Sequence, residues 1–178
     1  MTNETGETGG PLSAAELDDF LAEPLLLKLA CLRPDGWPYI IPLWFAWYER
    51  KLYVVGRERA VWIDYLRHER RVGVLIDQDA RRHRRVQMTA HAAVVEGPVV
   101  RAQGSARWRE LDRLLVSRYM ADTAGEAYRQ LTADRPRYLV EITPVQVTTW
   151  RGGPWHRRYY EPTPATPPPT AIVEPAPP

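Results

Sequence analysis

Short apolar runs follow one another from Leu25 with scarcely any chain between them. Residues 25–32 end at a turn of Pro34, Asp35 and Gly36, residues 39–48 end at Glu49 and Arg50, and residues 52–55 follow at once. Runs rich in branched and aromatic residues, bounded by turn formers, read as strands, here a three-stranded meander. Strands joined this tightly run antiparallel, since a parallel neighbour needs a crossover of roughly a dozen residues or more. A helix is expected over residues 60–68, where Val61 pairs with Tyr65 and Trp62 with Leu66, and a strand resumes over 72–76. Next, Val86, Met88, Ala90, Ala92 and Val94 alternate with Arg85, Gln87, Thr89 and His91, the period of a half-buried strand that Gly97 and Pro98 should interrupt. Ser105 caps a helix with the apolar stripe Trp108, Leu111, Leu115 and Tyr119, and Thr123 with Glu126 marks a shorter one. Residues 138–142 and 145–150 read as two last strands parted by Pro144, which cannot donate to a ladder. The expected fold is mainly β with peripheral helices: an antiparallel barrel of six or seven strands, not a doubly wound parallel sheet.

A chain of 178 residues suits one domain with one core. Ser13 and Glu16 form a capping box, so the domain is expected over residues 13–160, after a loose, disordered N-terminus of residues 1–12. Eight of the 17 prolines fall in residues 161–178, a composition that prefers extended, solvated backbone and reads as a disordered tail. The longest apolar run has ten residues and contains Pro42, far short of the roughly 20 that cross a bilayer as a helix. With one cysteine, Cys31, and no signal-like start, a cytoplasmic protein without membrane association is expected. The span between the termini holds all 24 Lys and Arg but 18 of the 22 acidic residues, a net of +6. Only Lys28 and Lys51 are lysines, and arginine's rigid donor fork suits phosphate and carboxylate partners.

Several chemistries lack their usual supports. Neither phosphate-loop nor dinucleotide glycine pattern is present, nor a serine-hydrolase elbow. His68, His83, His91 and His156 are scattered without ligand spacing, so no metal site is expected, and no catalytic acid or base is assignable. Cys31 in an apolar strand reads as a small buried hydrophobe. Arg81, Arg82, Arg84 and Arg85 flank His83 between two strands, which suits a solvated basic loop better than a nucleic-acid contact. Two features point to a ligand. The order strand, Gly56-Arg57-Glu58-Arg59, helix places two guanidiniums beside a helix start that lacks a capping side chain, a combination that welcomes phosphate, although a solvated turn with internal ion pairs is the alternative. Pro42 within the most apolar run implies a free edge or bulge that a planar ligand can approach, with Trp44, Trp47 and Trp62 as nearby flat surfaces.

These pieces resemble the pyridoxamine 5'-phosphate oxidase-like family of flavin and deazaflavin split barrels. The likeness rests on an ordered set: Leu21 to Pro24, the Arg33-Pro34-Asp35-Gly36-Trp37-Pro38 turn, Ile41-Pro42-Leu43-Trp44-Phe45, Leu66-Arg67, Arg71-Val72, Ile76-Asp77 with Asp79, Val94-Val95-Glu96-Gly97, and Thr148-Thr149-Trp150 followed by Trp155-His156. The resemblance implies a six-stranded split barrel that forms a homodimer, with cofactor sites at the subunit seam. It implies a cofactor ring along Pro42, Leu43 and Trp44, and a phosphate end at Val55, Gly56, Arg57, Arg59 and Ala60. Trp62 is a candidate wall for the substrate, and Arg84 and Trp150 are candidates for reaching the partner's site. Where many members carry S-x-K, this chain has Ala60-Val61-Trp62, so the usual hydroxyl and lysine phosphate ligands are missing; Arg57 and Arg59 are the candidates to compensate, and a weakened, altered or absent cofactor site is the alternative. The implied activity is hydride transfer between FMN, or a deazaflavin, and a small unsaturated or aromatic substrate. The alternative is a non-catalytic module for flavin, haem or another tetrapyrrole.

Overall fold

A computed structural model of the chain describes residues 10–78 and 83–152, and the expectations for residues 1–9, for Asp79, Arg81 and Arg82, and for residues 153–178 lie outside that set. The chain runs α1 (Ala14–Ala22), β1 (Leu27–Leu32), β2 (Pro38–Leu43), β3 (Ala46–Tyr48), β4 (Lys51–Arg57), α2 (Val61–His68), β5 (Arg71–Asp77), β6 (Arg85–Val99), a short 3-10 turn (Arg101–Gln103), α3 (Ala106–Tyr119), α4 (Asp122–Leu131) and β7 (Arg137–Trp150). All seven strands form one antiparallel sheet in the order β2-β1-β5-β6-β7-β4-β3. The fold is therefore mainly β with four α-helices.

The expected meander is corrected. Residues 39–48 do not form one strand, and β2 and β3 stand at opposite ends of the sheet. The chain leaves the ladder at Trp44 and Phe45, which is tolerable only if the backbone groups released there find other partners. α3 supplies them: the Phe45 N–H donates to the Tyr119 hydroxyl at 3.2 Å, and the Phe45 carbonyl accepts from Arg118 Nη1 at 3.0 Å. Tyr119 in turn donates to the Leu25 carbonyl at 2.6 Å. The six-stranded barrel is corrected as well: the sheet has seven strands and does not close, because the break at Trp44 and Phe45 divides one run of chain into β2 and β3, which furnish its opposite ends.

Two further expectations are corrected. Gly97 and Pro98 do not end the sixth strand; β6 runs through them with register shifts against β7. Likewise Pro144 does not divide the last strand. The partners step from Thr89↔Gln146 to Ala90↔Pro144, so Val145 is the extra residue of a bulge and β7 continues as one strand. Other readings hold: Ser13 and Glu16 make both bonds of the capping box, Ser105 caps α3 through the Trp108 N–H, β6 alternates buried and exposed through Ala92, and Pro42 sits on an edge strand.

The sheet is covered on two sides. Its inner face gathers Leu27, Leu29, Phe45, Val54, Val74, Ile76, Val86, Met88 and Ile142 with Trp62, Ile63 and Leu66 of α2. Cys31 belongs to this core, and burial pushes its thiol up. On the outer face of β4 and β7, Tyr53 and Leu139 pack with Ala46 under Trp108, Leu111 and Leu115 of α3. Among the described residues no helix is long and apolar enough to cross a membrane, and no group of His, Cys, Asp and Glu is arranged to hold a metal ion.

Candidate functional site

One cavity lies between the outer face of β4 and β7 and the helices above it. It holds about 340 Å³ and is walled by Pro42, Leu43 and Trp44, by Val55 and Arg57 of β4, by Leu115 and Val116 of α3, and by Tyr128 and Arg137. Five residues singled out from two parts of the sequence, Pro42-Leu43-Trp44 and Val55 with Arg57, thus meet on one space. Trp44 is fixed there by stacking on Tyr119, with ring centroids 5.0 Å apart and planes 2° from parallel, and Tyr128 closes on it at 6.0 Å. A second, more polar cavity of about 620 Å³ adjoins, lined by Arg57, Glu58, Arg59, Tyr128, Arg135 and Arg137 among others. Arg57, Tyr128 and Arg137 line both.

The β4–α2 turn spends its Glu58 and Ala60 N–H groups on the Pro136 and Arg57 carbonyls, at 3.2 and 2.9 Å, but keeps its arginines out of internal ion pairs. α2 starts at Ala60 without a side-chain cap. Among the described residues neither Arg57 nor Arg59 takes part in an ion pair. The solvated-turn alternative, in which these arginines pair with Glu58 or Asp64, is not what the structure has: Asp64 pairs with Arg67 at 2.7 Å. Phosphate chemistry fits such a turn, because a partial positive helix end without a side-chain cap follows two arginines that form no ion pair among the described residues.

The remaining candidates are placed elsewhere. Trp62 is 2% exposed within the inner core, where it packs rather than offers a surface. Gly56 faces the same core: a Cβ there would lie 2.7 Å from Ile63 Cδ1 and 2.9 Å from Trp62 Cζ2. Its smallness lets α2 seat on the sheet. Gly56→Ala is therefore expected to cost about 2 kcal/mol by overpacking, read from denaturant unfolding, and Ile63→Val should relieve part of it. Arg84 is held by Glu23 at 2.7 Å, donates to Gln78 at 3.0 Å and lies over the Phe20 ring. Trp150 is half-buried at the far end of β7, opposite Arg85.

With this geometry in view, a family model for pyridoxamine 5'-phosphate oxidase matches residues 13–151. The chain belongs to the pyridoxamine 5'-phosphate oxidase family. Among solved structures, the fold is similar to a conserved hypothetical protein from Mycobacterium tuberculosis (TM-score 0.63, 23% identity, 90% of this chain and 95% of that one). It is also similar to HutZ, the heme storage protein from Vibrio cholerae (TM-score 0.61, 20% identity, 79% and 95%). A FAD-binding protein from Mesorhizobium loti matches at TM-score 0.57 and 20% identity over 81% and 96%. No curated protein matches the sequence. This family fold thus has relatives described for flavin and for haem.

Sequence reasoning missed Tyr128, Arg137, Leu115 and Val116. Leu115 belongs to the stripe already read as apolar, whereas Val116 was not part of that reading. Arg137 could be found only through register, since β4 and β7 align it directly opposite Arg57.

Beside the cavity, Tyr53 ties α3 to the sheet. Its hydroxyl donates to Glu141 Oε2 at 2.7 Å and accepts from Arg107, while Lys51 reaches Glu141 Oε1 at 2.7 Å. Burial, then the hydrogen bond and charge of Glu141, push the Tyr53 phenol up to about 12. Burial also works to raise the Glu141 carboxyl, but the hydrogen bonds from Lys51 and Tyr53 outweigh it and hold that carboxyl below its usual range. The folded state thus favours the protonated phenol. The stability this adds is complete below the ordinary tyrosine value of about 10 and is lost as pH rises from there through 12. Tyr53→Phe is expected to lose about 1 kcal/mol at neutral pH and to decline less steeply than wild type across that window, as measured by denaturant unfolding at each pH.

Proposed function

We propose that this member of the family is an oxidoreductase that binds FMN, or a deazaflavin, as its redox cofactor. In this reading the ring lies against Pro42, Leu43, Trp44 and Val55, and the phosphate is received by Arg57, Arg59 and the uncapped start of α2 at Ala60. The observation that carries it is that one cavity gathers Pro42, Leu43, Trp44, Val55 and Arg57, next to a turn whose two guanidiniums lack internal partners among the described residues. The cofactor, when bound, supplies hydride transfer to or from a small unsaturated or aromatic substrate. The protein's own part is to fix orientation through the Trp44–Tyr119 stack, to exclude water with α3, and to hold the anionic end with arginine. We also propose a homodimer. Ile40, Val145 and Val147 lie 67%, 67% and 40% exposed on the sheet, beside shallow depressions over β1, β5, β6 and β7, and burying them in a second copy removes that apolar area from water.

The deciding experiment is an absorbance titration of the purified protein with FMN and with a deazaflavin separately. It is followed by chemical reduction and by reoxidation with an added acceptor. Binding with acceptor-dependent reoxidation is expected. Binding without reoxidation supports the second reading, a non-catalytic flavin or haem module, which is favoured by Ala60-Val61-Trp62 standing where hydroxyl and lysine ligands are common. Failure to bind either cofactor overturns the proposal.

A further inference from the structure

Among the described residues, Arg137 is the one buried basic side chain. It is 8% exposed, and a cation so far from water is costly unless an anion or several acceptors compensate it. Among the described residues its one side-chain acceptor is the Tyr128 hydroxyl, 2.9 Å from Nη1; its Nε has none, and it joins no ion pair. The carboxylate on the same cavity, Asp112, is already held by Arg101, with Nε 2.9 Å from Oδ2 and Nη2 3.1 Å from Oδ1. Arg57 stands directly opposite Arg137 across the β4–β7 ladder, so both side chains leave the same face of the sheet. Like charges in that relation destabilise a strand pair. Two arginines opposite one another in the ladder, one of them buried, border a cavity whose other walls are chiefly Pro42, Leu43, Trp44, Val55, Leu115 and Val116.

We propose that Arg137 and Arg57 form an anion subsite for the carboxylate or phosphate of a small planar ligand whose apolar body lies in the cavity beside Trp44. The guanidinium fork matches either anion, and the missing counter-charge is what a ligand would bring. The inference rests on the cavity proposed above as the ligand site but not on its redox chemistry.

The test uses the full chain and three probes: benzoate, its neutral counterpart benzamide, and FMN, titrated calorimetrically into wild type, Arg137→Met and Arg137→Lys. Benzoate is expected to bind wild type at least tenfold more tightly than it binds Arg137→Met, with Arg137→Lys between them and benzamide indifferent to the change. FMN affinity that stays within twofold assigns the anion to the substrate. A tenfold loss for FMN with benzoate unaffected assigns it to the cofactor's phosphate, and either result supports the subsite. Arg137→Met is expected to fold, because an apolar replacement of similar length removes the buried charge, and circular dichroism checks this; Arg137→Lys carries the test if it does not. Wild type and the folded variant binding both probes equally, or wild type binding none, overturns the proposal. Arg137-dependent benzoate binding in a protein that takes no flavin leaves the subsite standing and removes the redox reading.

Discussion

Replacing Arg57 and Arg59 together with alanine is expected to weaken FMN binding at least tenfold while leaving the unfolding midpoint within the range of ordinary surface changes. Each charge-assisted contact to phosphate is worth about 1.5–3 kcal/mol, one to two decades of affinity. Neither side chain supports the fold through an ion pair among the described residues, so affinity and stability should separate. The single variants divide the effect: Arg57 borders both cavities, whereas Arg59 borders only the outer one and should act on the phosphate end alone. Absorbance titration of all three variants measures this. Unchanged affinity in the double variant would remove the turn from the site.

Trp108→Ala carries the largest expected loss of stability, about 3–5 kcal/mol, because it empties the centre of the outer cluster. Trp108 is 1% exposed and packs with Leu111, Leu115, Tyr53 and Leu139, and Gly104 lies so close to the indole that a Cβ there would come within 2.9 Å of it. That loss is a large share of the roughly 5–15 kcal/mol of a whole domain. Since α3 is also a wall of the cavity, ligand affinity should fall in parallel. Trp108→Phe keeps most of the buried area and should lose far less. Denaturant unfolding with and without FMN separates the two effects, and a loss under 1 kcal/mol for the alanine variant would mean that α3 is held by something other than this cluster.

Local chemistry was legible where a residue acts through its immediate neighbours. The Ser13–Glu16 box, the Ser105 cap, the alternation of β6 and the unprotected start of α2 each need only a few residues of context. Edge placement of Pro42 also followed, because a missing N–H excludes a central position. What escaped was decided at long range. Nothing near Phe45 announces a break, since the groups that permit it come from Arg118 and Tyr119, more than 70 residues away. Pro144 was read as a divider, yet a bulge at Val145 absorbs it. Trp62 was valued for its flat surface when its helical position turns it into the core, and Arg137 was overlooked because only the β4–β7 register sets it beside Arg57.

The bend at Trp44 and Phe45 joins the first and last members of the sheet by two residues of covalent chain. Any molecule that settles against Pro42, Leu43 and Trp44 therefore pulls on both margins at once, although they lie six strands apart in the pairing order. Amide hydrogens of Ile41 and of Trp47 should consequently slow their exchange together on ligand binding, so that occupancy of one small hollow stiffens both end strands.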